Sequence, residues 1–298
     1  GLVRFAVRDP LRSPRRTCLK KSFASSCLRG YKNVMTRIET TFTNLKAQNR
    51  AALVTFIMAG DPDFARSLEI LKKLPESGAD IIELGMPFTD PMADGPAIQA
   101  AGLRALEAGA DMKQTLKLAR EFRQDNNATP LVLMGYFNPV LAYGPEKFMK
   151  DAAEAGVDGL ILVDLPPEED HEIRTAAEEK NINLIRLVTP VTDDERLKTV
   201  TDNASGFLYY VSITGVTGAA SANVEDAAQD IERIRRTSDL PVAAGFGIKT
   251  PDDASAFGKI ADAVVVGSAI VQTVADYLQA TDMADKVLEK VRALREAL

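Results

Sequence analysis

Ile81-Ile-Glu-Leu-Gly-Met-Pro-Phe-Thr-Asp-Pro-Met-Ala-Asp-Gly-Pro96 reads as a short apolar strand, a long loop of proline and glycine, and the start of a helix running to Ala108. Strand, loop and helix in that order form the unit of an α/β protein. A carboxylate, Glu83, interrupts the apolar strand, and two more, Asp90 and Asp94, follow in the loop. Burying a carboxylate is unfavourable unless it is paired, solvated or protonated. Glu83 is therefore a candidate for chemistry, against the alternatives of a strand residue facing solvent or one paired across the sheet.

The same unit recurs along the chain. Further strand candidates are 52–58, 131–136, 159–163, 183–188, 206–211, 241–245 and 263–266, most of them near-continuous apolar runs. Such runs suit parallel strands covered by helices. Helical patterns lie between them, as in 64–74, 145–155 and 224–236, with proline or glycine closing most segments. Eight strands alternating with helices close most simply into a single (β/α)8 TIM barrel. An open doubly wound sheet is the competitor, but no Gly-x-Gly-x-x-Gly opens a helix after the first strand, which weakens its dinucleotide-binding version.

Charge divides the chain into two parts. Residues 1–34 carry nine Lys or Arg against the single acid Asp9, so the whole-chain charge of −6 leaves −14 on residues 35–298. An acidic body argues against a nucleic-acid surface. No apolar run reaches the roughly 20 residues that a membrane span needs. The Arg- and Ser-containing leader has the composition of an organelle transit peptide. Met35-Thr-Arg-Ile-Glu-Thr-Thr-Phe42 already reads as the beginning of a folded helix, which favours an extension ahead of it. Residues 1–34 are accordingly expected to be a poorly ordered leader, and residues 35–298 a catalytic barrel domain with an extra N-terminal helix. On that reading the protein is cytoplasmic.

Composition narrows the chemistry further. Both cysteines, Cys18 and Cys27, lie in the leader, and the only histidine, His171, sits in what reads as a solvated helix start, Pro166–Glu172. Histidine-based triads and Cys/His metal centres are therefore not expected, and no metal ligand set is assigned. Acid–base work falls to carboxylates, tyrosine or lysine. No candidate strand carries a lysine for a Schiff base.

Three glycine clusters follow late strands: Gly215-Val-Thr-Gly218, Gly245-Phe-Gly247 and Gly267-Ser-Ala-Ile270. Glycine lets backbone N–H groups approach an anion, and a helix N-terminus adds its positive dipole end. Barrels often hold phosphate on the loops after strands seven and eight, which is where Gly247, Gly267 and Ser268 fall. A small phosphorylated molecule is the expected ligand. Glu83 should point into the mouth with a raised pKa, while Asp94 stays ionised in a wetter setting, so the two can divide acid and base roles. Tyr209 in the sixth strand can donate a hydrogen bond, although taken alone it reads first as a core tyrosine. Phe56, Met134, Ile161 and Phe246 near strand ends can line a flat apolar pocket, or simply be core.

Together these motifs closely resemble the alpha chain family of tryptophan synthase. The matching pieces are Glu83–Pro96, Gly60-Asp-Pro62, Gly215-Val-Thr-Gly218, Gly245-Phe-Gly-Ile248 and Gly267-Ser-Ala-Ile270, in the family's order from about Met35 onward. The resemblance implies retro-aldol cleavage of indole-3-glycerol phosphate to indole and glyceraldehyde 3-phosphate. It implies Glu83 as the main acid–base group, Asp94 as the acceptor of the indole N–H, and Tyr209 beside the glutamate. It also implies Thr217 and Gly218 on a mobile loop, with Gly218, Gly247, Gly267 and Ser268 at the phosphate. Asp90 and Asn138 match positions near a beta-chain contact. The partner implied is a beta chain in an α2β2 heterotetramer. That chain holds pyridoxal phosphate and makes tryptophan from indole and serine; no cofactor is implied for this chain. Ile213 stands where some members have arginine, and the stretch Ala219–Asn223 carries no charge.

Overall fold

Nine apolar segments form strands in a computed structural model that describes residues 35–211, 224–245 and 247–298. They are β1 (Ala52–Met58), β2 (Ile81–Gly85), β3 (Leu131–Gly135), β4 (Gly159–Leu162), β5 (Asn183–Leu184), β6 (Arg186–Val188), β7 (Leu208–Val211), β8 (Val242–Gly245) and β9 (Ala263–Val266). Every pairing is parallel, in the order β5-β4-β3-β2-β1-β9-β8-β7-β6. Only Ile185 separates β5 from β6, so the single fifth strand expected from 183–188 is one segment divided between two neighbours, and it closes the ring. The result is the (β/α)8 barrel. The expected leader, residues 1–34, lies outside the described residues.

Strand parity sorts side chains between two cores. Ala52, Val54, Ile81, Val132, Ile161, Ile185, Phe207, Tyr209, Ala243, Ala263 and Val265 fill the barrel interior. The alternate residues, among them Leu53, Ile57, Ile82, Leu84, Leu133, Leu160 and Val264, face the surrounding helices. The helix Arg37–Ala47 starts at a capping box between Thr36 and Glu39, which satisfies two open N–H groups. It closes the base of the barrel with Ile38, Phe42 and Leu45, and the Phe42 ring lies 5.8 Å from that of Phe207.

Three aspartates tie the base together. Asp80, Asp158 and Asp262 each precede a strand and accept an N–H from a neighbouring one: Leu53 at 2.8 Å, Leu131 at 2.8 Å and Val242 at 2.9 Å. Asp158 also takes the guanidinium groups of Arg37 and Arg123. Replacing it leaves a buried cation and a strand N–H without their acceptor. Asp158→Ala should therefore lower unfolding stability by about 3–5 kcal/mol, read as a shifted midpoint in urea.

The segment before the helix His171–Lys180 is mostly the solvated helix start expected, with Glu168, Glu169, His171 and Glu172 exposed. Asp170 is the exception, at 1% exposed. Arg186, pointing outward from β6, pairs with its carboxylate, and Arg174 joins it at 3.2 Å. A charge on a central strand supplied the partner that burial requires.

Candidate active site

The alternation that places Ile81 in the barrel core places Glu83 one layer higher on the same inward face, beside Phe56 of β1 and Val132 of β3. Glu83 is fully buried, and neither carboxylate oxygen has a hydrogen-bond partner among the described residues. Burial alone pushes its carboxyl up to about 8. An unpartnered carboxyl in an apolar layer keeps its proton at neutral pH and remains free to give it to a ligand. Tyr209 enters the same interior from β7, and its hydroxyl is raised well above the usual tyrosine range by burial and by the charge of Glu83. Gly245 of β8 makes room for that ring, because a Cβ there would lie 2.5 Å from the Tyr209 Oη.

Asp94 lies in the loop between β2 and the helix Pro96–Glu107, half-buried and so in a wetter setting than the fully buried Glu83. Burial raises its carboxyl to about 6, opposed by a hydrogen bond from the Tyr136 hydroxyl. Tyr136 Oη accepts the Ala93 N–H at 3.0 Å, which holds the loop immediately before Asp94. Burial and the Asp94 charge push that hydroxyl up to about 12, which keeps it a donor. The sequence reading ran the third strand through Tyr136, whereas the strand stops at Gly135 and Tyr136 caps the helix Phe137–Tyr143. Its inward parity with Val132 and Met134 was the available signal.

An apolar wall adjoins Glu83, whose partner across the ladder is Phe56. Phe56 packs at the strand ends with Met58, Ala101, Ala105 and Val271, and half-buried Met134 touches this cluster as well as the interior that contains Ile161. Gly85 lets the Phe56 ring lie across β2, since a Cβ there would come within 2.5 Å of it. On the far side, β8 and β9 are neighbours, so the turns after them meet. Gly247 holds a φ of +81° with nothing within 4 Å of a Cβ position. Gly267 precedes the helix Ser268–Asp276, and no side chain caps it. An uncapped helix N-terminus beside an open glycine turn suits an anion.

Thr217, Gly218, Ile213, the stretch 219–223 and Phe246 lie outside the described residues. Asp90 and Asn138 are both exposed at the mouth, close in sequence to exposed Met92 and Leu141. Among the described residues, no group of three or more His, Cys, Asp or Glu side chains is placed to hold a metal ion.

Comparison with known proteins adds identity to this geometry. A family model described as "Tryptophan synthase alpha chain" matches residues 42–298. A crystal structure of tryptophan synthase subunit alpha from Legionella pneumophila str. Paris superposes with a TM-score of 0.83 at 38% identity, covering 88% of this chain and 98% of that one. A structure from Aquifex aeolicus VF5 gives 0.81 at 36% identity, covering 89% and 99%. An open form of tryptophan synthase from M. tuberculosis gives 0.80 at 33% identity, covering 88% and 98%.

Proposed function

The chain belongs to the tryptophan synthase alpha chain family, a lyase of tryptophan biosynthesis, and from that premise we propose that it cleaves indole-3-glycerol phosphate to indole and glyceraldehyde 3-phosphate. The observation that carries this reading is the buried, unpartnered Glu83 carboxyl with its raised pKa. It stands in an apolar layer of the barrel interior, and the loop that follows the same strand carries a second carboxyl, Asp94, raised less, to about 6.

Protonated Glu83 gives its proton to ring carbon 3 of the indole. Positive charge then spreads to the ring nitrogen, where the Asp94 carboxylate accepts the N–H and stabilises it. Glu83, now ionised in an apolar setting, takes the proton of the glycerol hydroxyl next to the ring. The carbon–carbon bond breaks, its electron pair returns to the ring, and the hydroxyl carbon becomes the aldehyde. Glu83 ends protonated, as it began. Phe56, Met134, Ile161 and Phe246 supply the flat apolar surface for the indole. Gly247, Gly267 and Ser268 are assigned to the phosphate, the family likeness assigns Gly218 to it and Thr217 a role near it, and Tyr209 backs the glutamate.

The working form needs Asp94 ionised and Glu83 protonated. The kcat/KM for indole release should therefore be bell-shaped, rising through about 6 and falling through about 8. A flat profile from pH 5 to 9 would remove both assignments. The family implies a beta-chain partner; the exposed face bearing Asp90 and Asn138 is the docking surface we assign to it, in an α2β2 assembly that receives the indole. Equimolar release of indole and glyceraldehyde 3-phosphate by the purified chain, faster with a beta chain present, tests the reaction. Absence of indole under both conditions refutes it.

A further inference from the structure

The loop that carries Asp94 runs straight into the helix Pro96–Glu107, whose N-cap, Gly95, makes no side-chain bond. Where that helix sits therefore sets where Asp94 sits. Its inner face is small. Ala101 and Ala105 are fully buried against Phe56 and Met58 at the end of β1 and against Val271 of the helix beside the glycine turns. Gly102 approaches the Met58 methyl, with its Cβ position 3.6 Å away. Small residues allow this close approach but fix neither the rotation nor the slide of the helix.

Two polar contacts fix both. Near the N-terminus, Gln99 Nε2 donates to the Asp94 carbonyl at 2.9 Å and to the Pro91 carbonyl at 3.4 Å, holding the loop from the helix side. Near the other end, Arg104 forms a forked ion pair with Asp61 in the loop after β1, with Nε to Oδ1 and Nη2 to Oδ2 both at 2.8 Å. Asp61 is 4% exposed, and its own loop is anchored by Asp61 N–H to the Met58 carbonyl at 3.2 Å and Gly60 N–H to Ser67 Oγ at 3.1 Å. A forked guanidinium–carboxylate pair constrains direction as well as distance.

We propose that Arg104 is a positioning residue for Asp94: its forked pair with Asp61 seats the helix on the end of β1, and Gln99 transmits that seating to the catalytic loop. The inference rests on the role assigned to Asp94 above. Lysine keeps the charge but cannot form the fork. Where catalytic geometry is set by remote packing, displacements of about 1 Å cost up to about 100-fold in rate.

The test is kcat for indole release by the full chain, at a temperature well below unfolding, for Arg104→Gln and Arg104→Lys, each made with Asp94 intact and with Asp94→Asn. With Asp94 intact, Arg104→Gln should lose about 10-fold and Arg104→Lys somewhat less. With Asp94→Asn, both should change the residual rate less than about two-fold, because the group they position is gone. If Arg104→Gln fails to fold, the Arg104→Lys pair carries the same comparison. Equal losses in both backgrounds would mark Arg104 as a general structural residue and overturn the proposal, as would no loss in either. A native rate in Asp94→Asn alone would instead refute the role of Asp94, and this inference with it.

Discussion

Glu83→Gln is expected to lose at least about 1,000-fold in indole release while gaining stability at alkaline pH. Proton transfer by one positioned group contributes about 100- to 10,000-fold, and in the proposed reaction a single carboxyl serves two successive transfers. Glutamine keeps the shape and can do neither. The stability effect follows from linkage. Glu83 has a folded pKa of about 8 against an ordinary 4.5, so between those values the unfolded chain sheds a proton that the folded chain keeps. Stability is therefore lost as pH rises across that window, by a total on the order of a few kcal/mol. Glutamine has no such term. The stability difference between variant and parent should grow from pH 5 to pH 8 and then level off, measured by urea unfolding at each pH. A constant difference would mean that Glu83 is not held neutral. An unpartnered buried acid weakens the fold, a cost that the catalytic role proposed for Glu83 would offset.

Asp94→Asn should lose about 100- to 1,000-fold, the range for removing one group aimed at developing charge. Its loss should fall on kcat more than on KM, because the charge on the indole ring appears only after Glu83 has given up its proton. The lower limb of the pH profile should vanish with it, since that limb reports Asp94 ionising near 6. A variant with near-native kcat, or with the limb unchanged, would show that another group stabilises the ring. Tyr136→Phe offers a graded comparison: it removes the hydroxyl that accepts the Ala93 N–H beside Asp94 but leaves the carboxylate in place.

Periodicity carried most of the fold. Ala52–Met58 and Ala263–Val266 are strands over the residues that their apolar runs indicated, and the other boundaries moved by a residue or two. Strand parity also put Glu83 inside, because Ile81 and Gly85 share its face. Contacts between distant segments were not legible. Three aspartates that precede strands look like ordinary turn residues in the chain, yet Asp158 meets Arg37 and Arg123 across the base. Asp170 looked solvated because its partner, Arg186, is sixteen residues away on another element. Tyr136 was hidden for the same reason: its hydroxyl reaches a loop 43 residues earlier in the chain. Asp94 was legible as a candidate carboxylate wetter than Glu83, but its degree of burial was not, since burial of a loop depends on what folds over it.

The most direct test of a proton held by burial is to observe that proton. The carboxyl stretching band present in the parent chain and absent in Glu83→Gln, followed by infrared difference spectroscopy from pH 4 to 10, reports the protonation of this one group. The band should persist through neutral pH and disappear with a midpoint near 8. Disappearance near the ordinary glutamate value of 4.5 would show that Glu83 is ionised at neutral pH, and would contradict its role as the proton donor to the indole ring.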